Sequence, residues 1–198
     1  MSPYPTPYQA KLVVVRHGET EWSESGRHTG RTDVPLLEAG REQARGLAPV
    51  LQAMGFGLVL TSPLSRAADT CALAGFAERA EPTDDLLEWD YGAYEGRTTQ
   101  DIREERPDWS LWGDGVPGGE RAAEVGRRVD RVIERARAEE ADTLCFAHGH
   151  VLRVLASRWV GLPPVGGRFL ALDASSLGML GWEREIPVIE RWNEPSPG

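Results

Sequence analysis

Three short apolar runs in the chain have the pattern of β-strands that are buried on both faces. Residues 11–15 read Lys-Leu-Val-Val-Val, and residues 58–61 and 143–147 are similarly continuous in apolar and β-branched side chains. Strands with one solvated face alternate apolar and polar residues, whereas strands covered by helices on both sides do not. The three runs therefore predict a largely parallel sheet between two layers of helices.

Apolar residues at helical spacing separate these runs. Four segments are predicted as helices on this ground: 44–54, 67–76, 125–136 and 151–160. In a helix, residues three, four and seven positions apart share a face, and that face packs against the sheet. The alternation of strands and helices predicts an α/β fold, a three-layer α/β/α sandwich with a mainly parallel central sheet.

The remaining segments of the chain are predicted to complete a single domain. Three stretches near the C-terminus are predicted as closing strands, antiparallel to the others: 169–172, 177–182 and 188–192. The stretch 84–119 is rich in Gly, Pro, Trp and acidic residues, and we expect it to cross the ligand-binding end of the sheet with a short helix at 99–105. The domain is predicted over 11–192, between a loose lead at 1–10 and a tail at 193–198.

Composition narrows the possible partners and the location. The 198 residues include 31 acidic and 22 basic side chains, a net charge of −9, which argues against nucleic acid and anionic membranes as partners. The apolar runs are too short to span a bilayer, and the Pro-rich start is unlike a signal peptide, so we expect a cytoplasmic protein. The two cysteines, Cys71 and Cys145, lack CxxC spacing and are predicted to be buried free thiols.

Reactive side chains follow each predicted parallel strand. Arg16-His17-Gly18 follows the first strand, Arg66 lies just after the second, and His148-Gly149-His150 follows the third. Ligands of open α/β sheets bind beyond the carboxyl ends of the strands. A neutral imidazole can attack phosphorus and form a phosphohistidine, while guanidinium groups hold the phosphoryl oxygens. The pattern predicts a site for phosphoryl transfer.

A metal site is the alternative that the same residues leave open. His148 and His150 are two positions apart, and on a regular strand such residues point the same way, as a pair of metal ligands would. The sequence contains no second His and Asp cluster with ligand spacing. We therefore expect no metal and no cofactor, and keep a metal-dependent hydrolase as the less favoured hypothesis.

Five blocks of the sequence resemble, in the same order, those of the histidine phosphatase superfamily, which includes the phosphoglycerate mutases. They cover residues 11–160 and are RHGET from Arg16, HTGRTDVPL from His28, TSPLSRAADT from Thr61, LEWDYGAYEG from Leu87 and AHGHVLR from Ala147. The resemblance implies the phosphoglycerate mutase-like three-layer fold. It also implies a small phosphate ester as the substrate, and it leaves the oligomeric state open, with a homodimer among the options.

The resemblance also implies roles for individual residues. His17 is the expected nucleophile, and Arg16, Arg66 and His148 are expected to form the phosphate pocket around it. Glu88 is expected to protonate the leaving oxygen and then to activate water, as general acid–base catalysis requires.

Geometry has to decide some details of these roles. From the sequence alone, Asp84, Asp85, Asp90 and Glu95 remain rivals of Glu88. The nucleophile must present an unprotonated nitrogen, and a backbone carbonyl that accepts a hydrogen bond from its other nitrogen would fix that tautomer. A cationic His148 is expected beside a dianionic phosphate.

A second group of residues is expected on the rim of the pocket. Arg153 resembles a substrate-contacting arginine of the sugar-bisphosphatase branch. Ser23, His28 and Thr29 are expected to reach a second part of the substrate. These four residues, together with Arg16 and Arg66, are the predicted substrate-binding set.

Departures from the mutase pattern favour hydrolysis over phosphoryl return. Ser23 replaces the asparagine usual in cofactor-dependent mutases, His28 replaces an aromatic residue, and the stretch between Glu88 and His148 is shorter than in those mutases. A shorter cover admits water to the phosphoenzyme. The blocks are more like those of acid phosphatases and sedoheptulose-bisphosphatase-like proteins.

We therefore expect a metal-independent phosphomonoesterase that acts on small phosphorylated metabolites, with sugar phosphates as the expected class, through a phosphohistidine on His17. Two alternatives remain open. One is a cofactor-dependent phosphoglycerate mutase. The other is a non-catalytic phospho-ligand binder, which the presence of an acid beside the phosphate site argues against.

Overall fold

Among residues 9–196, which the computed structural model describes, six strands pair into one sheet. In chain order they are β1 (Leu12–Arg16), β2 (Phe56–Thr61), β3 (Ala80–Pro82), β4 (Asp142–Ala147), β5 (Leu177–Glu183) and β6 (Ile186–Glu194). Across the sheet the order is β3-β2-β4-β1-β5-β6. The first four strands run parallel, whereas β5 is antiparallel to β1 and β6 is antiparallel to β5. The mainly parallel sheet is confirmed.

Helices connect the parallel strands. In chain order they are α1 (Glu21–Glu24), α2 (Glu38–Gln52), α3 (Ser65–Leu73), α4 (Thr99–Glu105), α5 (Leu111–Asp114), α6 (Ala122–Ala138) and α7 (Gly149–Trp159). The helices predicted from spacing are confirmed, with shifted ends. The predicted end of α2 at residue 54 is wrong, because the helix ends at Gln52, and Val50 near its end is exposed.

The C-terminal predictions are partly wrong. Residues 177–182 and 188–192 are strands, as predicted, but residues 169–172 are not. That stretch begins with the last residue of a 3₁₀ helix, Pro164–Phe169, whose backbone is bound to α7 because Arg153 donates to the carbonyl oxygens of Gly167 and Arg168. The tail predicted from residue 193 begins later, since β6 continues to Glu194. Most of the predicted lead at 1–10 lies outside the described residues.

β1 shows why the sheet needs two covering layers. Val13 and Val15 join the apolar cluster with Leu47 of α2, whereas Leu12 and Val14 join the cluster of α6 and α7. All four β1 side chains are fully buried, and each such burial stabilises the fold by about 1.5–3 kcal/mol. The α/β/α arrangement follows from a strand that is apolar on both faces.

The stretch 84–119 packs on the α6–α7 side of the sheet. It contains two 3₁₀ turns, Asp84–Leu86 and Gly92–Tyr94, as well as α4, whose predicted position is confirmed, and α5. The stretch buries Trp89 and Trp109, whose indole N–H groups donate to backbone carbonyl groups of Glu120 and Gly115. The aromatic side chains here thus anchor an irregular segment to the core.

The two cysteines are free and buried, as predicted. Burial raises the pKa of the Cys71 thiol to about 12.

The helix lengths are relevant to the prediction that the apolar runs are too short to span a bilayer. None of the helices within residues 9–196 combines the length and apolarity needed to cross a bilayer.

The loop after β1 is held close to the start of α2. A Cβ atom added at Gly40 would lie 2.3 Å from the carbonyl oxygen of Glu19, and one added at Gly18 would lie 2.3 Å from that of Gly40. The Glu19 carbonyl also accepts a hydrogen bond from the Leu37 N–H group (2.9 Å). Glycine at both positions lets the helix approach the backbone that carries His17.

We predict that Gly40→Ala lowers the free energy of unfolding by about 1–3 kcal/mol, because the new methyl group meets backbone that has no room to move. Gly113→Ala in α5 is the matched control, since a Cβ atom there has no neighbour within 4 Å. The control is expected to leave the stability unchanged or slightly raised. Urea denaturation followed by circular dichroism measures both, and equal stability of the two variants would contradict the close approach.

Candidate active site

A cavity of about 180 Å³ opens at the carboxyl ends of β1 and β4. Seven of the nine predicted site residues line it: Arg16, His17, Ser23, His28, Thr29, Glu88 and Arg153. The other two, Arg66 and His148, are fully buried and do not form part of its wall. The remaining lining residues, which the sequence analysis did not assign to the substrate, are Gly26, Arg27, Tyr91, Gly149, His150 and Leu172.

The imidazole of His17 is held in one tautomer. Its Nδ1 atom lies 2.7 Å from the carbonyl oxygen of Gly18. A carbonyl oxygen can only accept, so Nδ1 carries the proton and Nε2 keeps its lone pair. The expected backbone carbonyl that fixes the tautomer is thus present.

The surroundings of His17 also disfavour its protonation. Burial lowers the pKa of His17 well below 6.5, and the positive charges of Arg16 and Arg66 lower it further. The bond to Gly18 acts in the opposite direction but does not outweigh these effects. The ring is therefore a neutral base at pH 7, which is the form that a nitrogen nucleophile needs.

Arg16 reaches the cavity from the last position of β1. Its Nη1 atom donates to the carbonyl oxygen of Leu172, while its Nε atom has no hydrogen-bond partner among residues 9–196. The guanidinium plane lies against the backbone of Gly149, where an added Cβ atom would be 3.4 Å from Cζ. A buried N–H group without a partner is costly, so an anion in the cavity would complete this site.

Arg66 and His148 form a buried pair next to His17. Arg66 Nε donates to His148 Nδ1 (3.1 Å), and His148 Nε2 lies 2.8 Å from the hydroxyl of Ser62. A guanidinium cannot accept, so Nδ1 is unprotonated and His148 is neutral with its proton on Nε2. Burial and the charge of Arg66 lower the pKa of His148 well below its usual value.

A cationic His148 beside a dianionic phosphate stays a prediction. Arg66 also donates to the carbonyl oxygens of Thr29, Gly30 and Thr32. Direct contact of Arg66 and His148 with phosphate stays a prediction. The imidazole rings of His17 and His148 nevertheless lie close together, with centroids 5.1 Å apart.

The carboxylate of Glu88 is fixed by the start of α7. Its Oε1 atom accepts hydrogen bonds from the N–H groups of Trp89 and Val151 (both 2.8 Å), and Oε2 accepts one from His150 (2.9 Å). The first N–H groups of a helix lack partners within the helix, and their dipoles favour a negative charge. Three of about four lone-pair positions of the carboxylate are thus used, which leaves one on Oε2 for a proton or a ligand.

The four rivals of Glu88 lie outside the cavity wall. Asp85 pairs with Arg131 at the surface, and Glu95 accepts hydrogen bonds from the backbone of residues 30 and 32. Asp90 accepts a hydrogen bond from the Gly92 N–H group (2.9 Å). Of the five carboxyl groups that the sequence left open, Glu88 is the one that lines the cavity.

The predicted rim residues Ser23, His28 and Thr29 all line the cavity. The hydroxyl of Ser23 already takes part in the capping of α1, because it accepts from the Thr20 N–H group (2.9 Å) and donates to the Thr20 carbonyl oxygen (2.9 Å). His28 stacks on Tyr91 with ring centroids 4.7 Å apart. Their contact with substrate remains a prediction.

Arg153 projects from the second turn of α7 into the cavity. Its Nε atom donates to the Gly167 carbonyl oxygen (3.1 Å), and its guanidinium lies over the ring of Trp112, 4.9 Å from the centroid. No ion pair of the described residues includes Arg16, Arg27 or Arg153. The cavity therefore carries positive charge that protein carboxylates do not pair.

His150 also lines the cavity, although the sequence predicted it only as one of a possible pair of metal ligands. Its Nδ1 atom lies 2.6 Å from the hydroxyl oxygen of Tyr91. Burial raises the pKa of Tyr91 well above its usual value, so the phenol keeps its proton. The motif HGH was the available signal for this residue.

The geometry does not favour the metal-ligand hypothesis for His148 and His150. α7 begins at Gly149, so the two rings do not share one face of a strand. His148 contacts Arg66 and Ser62, whereas His150 contacts Tyr91. Within residues 9–196, no group of three or more His, Cys, Asp or Glu side chains is placed to hold a metal ion.

Known proteins are similar to this chain in sequence and in fold. An acid phosphatase of Mycobacterium tuberculosis is 41% identical in an alignment of 194 residues that covers 94% of this chain and 95% of that protein. A sedoheptulose 1,7-bisphosphatase of Saccharomyces cerevisiae is 36% identical in an alignment of 185 residues that covers 77% of this chain and 68% of that protein. The solved structure of the open reading frame Rv3214 from Mycobacterium tuberculosis superposes with a TM-score of 0.91 at 39% identity, covering 96% of this chain and 100% of that one.

The family comparison agrees with the order of the blocks found in the sequence. The model of the histidine phosphatase superfamily (branch 1) matches residues 12–195, which include the whole of the sheet from β1 and every predicted site residue. Relatives named as phosphatases and the shared fold support the same assignment. The chain therefore belongs to branch 1 of the histidine phosphatase superfamily.

Proposed function

We propose that this protein is a metal-independent phosphomonoesterase that hydrolyses small phosphorylated metabolites through a phosphohistidine on His17. One observation carries the proposal. The bond between Nδ1 of His17 and the Gly18 carbonyl leaves the Nε2 lone pair free in a ring that lines the cavity beside Arg16. A neutral imidazole next to an unpaired guanidinium suits attack on a phosphoryl group.

The reaction has two steps. In the first, Nε2 of His17 attacks phosphorus, the P–N bond forms, and the bond to the ester oxygen breaks while Glu88 donates a proton to that oxygen. In the second, Glu88 takes a proton from water, the water oxygen attacks phosphorus, and the P–N bond breaks to release inorganic phosphate. Arg16 stabilises the charge on the phosphoryl oxygens in both steps.

Arg66 and His148 belong to the same proposal through their position. The family resemblance implies that both contact the phosphate, and the Arg66 charge lies one hydrogen bond from His148, whose ring is 5.1 Å from that of His17. A positive charge in a buried environment attracts an anion more strongly than one in water does. The net charge of −9 opposes approach only weakly, since distant charges are screened beyond about 8 Å at physiological salt.

Sugar phosphates are the proposed substrate class. Beside the nucleophile, the cavity is lined by residues with polar side chains, namely Ser23, His28, Thr29, His150 and Arg153. These groups suit a leaving group with several hydroxyl oxygens and a further negative charge. The relative named sedoheptulose 1,7-bisphosphatase supports this class.

We also propose a cytoplasmic location. A metabolite substrate supports it, and so do the two free thiols, because the cytosol keeps thiols reduced.

We predict that His17→Ala abolishes turnover of sugar phosphates, with a loss of at least ~10⁴-fold in kcat, because the nucleophile is removed. Release of inorganic phosphate from a metabolite panel measures the loss, and an alkaline quench of the wild-type enzyme should leave one phosphoryl group on the peptide that contains His17. Circular dichroism of the variant serves as the control for folding. Turnover that survives the substitution would contradict the proposal.

The two alternative functions, a cofactor-dependent phosphoglycerate mutase and a non-catalytic phospho-ligand binder, are tested with the same protein. Incubation with 3-phosphoglycerate and 2,3-bisphosphoglycerate should give little isomerisation compared with phosphate release from the panel. Isomerisation that outpaces hydrolysis would identify a mutase. Binding of phosphate esters without turnover of any of them would identify a binder.

We predict that exhaustive chelation leaves kcat and KM unchanged, since the proposed chemistry uses imidazole, guanidinium and carboxyl groups only. Treatment with EDTA followed by gel filtration and assay in metal-free buffer measures this. A loss of activity that one divalent ion restores would show that the metal-dependent alternative is right.

The pH dependence follows from the lowered pKa of His17. Attack requires the neutral ring, and burial together with Arg16 and Arg66 moves the pKa well below 6.5. We therefore predict that the His17 limb of kcat/KM falls only at a pH below 6.5, and that an NMR titration finds the His17 ring in its neutral form at pH 6.5. A His17 pKa at or above 6.5 would contradict this prediction.

A further inference from the structure

Glu88 lies on a segment that lacks its own secondary structure. Residues 88–91, between two 3₁₀ turns, are neither helix nor strand, and Glu88 itself is only 4% exposed. Buried backbone groups in such a segment have no helix or sheet partners and must find others. The position of the carboxyl group therefore depends on what binds this segment.

Arg128 of α6 supplies two of these partners. Its guanidinium is buried, and Nη1 donates to the carbonyl oxygens of Asp85 (2.9 Å) and Leu87 (2.6 Å). Leu87 directly precedes Glu88, so the backbone on the N-terminal side of the carboxyl-bearing residue is attached to α6. One planar guanidinium group thus spans two carbonyl groups and still has donors left on Nε and Nη2.

Glu120 completes the arrangement on the other side of Glu88. Its carboxylate accepts from Arg128 Nε (2.9 Å) and Nη2 (3.0 Å), and Oε2 also accepts from the N–H group of Asp90 (2.9 Å). Its backbone N–H donates to the Asp90 carbonyl oxygen (3.0 Å), and its carbonyl oxygen accepts from the indole of Trp89 (2.8 Å). The ion pair therefore binds the backbone on both sides of Glu88.

Stability alone does not explain an ion pair in this place. The side chains of Arg128 and Glu120 are only 8% and 18% exposed, and the loss of hydration of two charges offsets much of their attraction. Burial by itself raises the pKa of Glu120, but the hydrogen bond and the charge of Arg128 outweigh it and lower that pKa. The bidentate geometry specifies orientation, which an apolar pair of the same volume would not.

We propose that Arg128 and Glu120 form a positioning pair that holds the backbone of Glu88 so that its carboxyl group meets the leaving oxygen. The proposal rests on the proposed function, in which Glu88 is the general acid. The start of α7 binds the carboxylate oxygens through His150 and Val151, while α6 and Glu120 bind the backbone. Both attachments are needed, because a displacement of about 1 Å is enough to lower a rate by about 10²-fold.

Leaving-group dependence separates this role from a general structural one. An alkoxide needs a proton as it leaves, whereas p-nitrophenolate is a stable anion that leaves without one. A misplaced acid therefore slows the phosphorylation step for alkyl phosphates and spares it for p-nitrophenyl phosphate. A distorted cavity or a displaced His17 would slow both substrates. The ratio kcat/KM reports this step for each substrate, since it covers the reaction through the first irreversible event.

The test is Arg128→Lys, which keeps the charge but cannot span both carbonyl groups and Glu120. We expect kcat/KM for a sugar phosphate or a simple alkyl phosphate to fall by about 10²-fold, and kcat/KM for p-nitrophenyl phosphate to change by less than about threefold. Arg131→Lys is the matched control. Arg131 lies on the same helix and pairs with Asp85 of the same segment, but it is exposed, so neither substrate should be affected.

Two further variants keep the test decisive. If Arg128→Lys does not fold, Glu120→Gln removes the charge of the partner with little change in volume and should give the same selective loss. In a Glu88→Gln background, Arg128→Lys should cause no further loss on the alkyl phosphate, because the group that it positions is already absent.

The possible outcomes separate the two proposals. An equal loss on both substrates, no loss on either, or an additive loss in the Glu88→Gln background would overturn the positioning role. Failure of the proposed function has a different signature, which is turnover that survives His17→Ala.

Discussion

Strands β1 and β4 lie side by side in the middle of the sheet and run in the same direction, with Arg16 paired with Ala147. Because both strands end at the same level, the residues that follow them, His17 and His148, are neighbours, and the His17 N–H group donates to the Ala147 carbonyl oxygen (3.0 Å). The apolar faces of β1 require a helical layer on each side, and these layers also provide the N-terminus of α7 that binds Glu88. The site is a consequence of this pairing.

The electrostatics of the cavity follow from burial rather than from total charge. The chain carries nine more acidic than basic side chains, yet Arg16 and Arg153 face the cavity without a carboxylate partner among the described residues. Burial is the main cause that lowers the pKa of both His17 and His148, and the nearby guanidinium groups lower it further, so the charges that attract a phosphate also help to keep the nucleophile unprotonated. Glu88, the carboxylate in the cavity wall, is held by N–H groups and not by these arginines.

Apolar periodicity is a local property and was sufficient to predict five of the six strands and most of the helices, but not β3. The strand ends and the family resemblance together supplied the seven predicted residues that line the cavity. Predictions failed where distant contacts decide the outcome. Residues 169–172 have an apolar pattern but are not a strand, since Arg153 binds the preceding 3₁₀ helix. His148 and His150 would resemble a pair of metal ligands if β4 continued through them, but α7 begins at Gly149, between the two residues.

The amino-acid sequence by itself determined the α/β class, the family and the identity of the expected nucleophile, because these are carried by short contiguous blocks. Only the tertiary structure decided which nitrogen of His17 keeps its lone pair, that Glu88 rather than a neighbouring carboxyl group lines the cavity, and that Arg128 binds the backbone beside it. The physical reason is that protonation states and side-chain orientation depend on partners far away in the chain, and their positions exist only once the chain has folded.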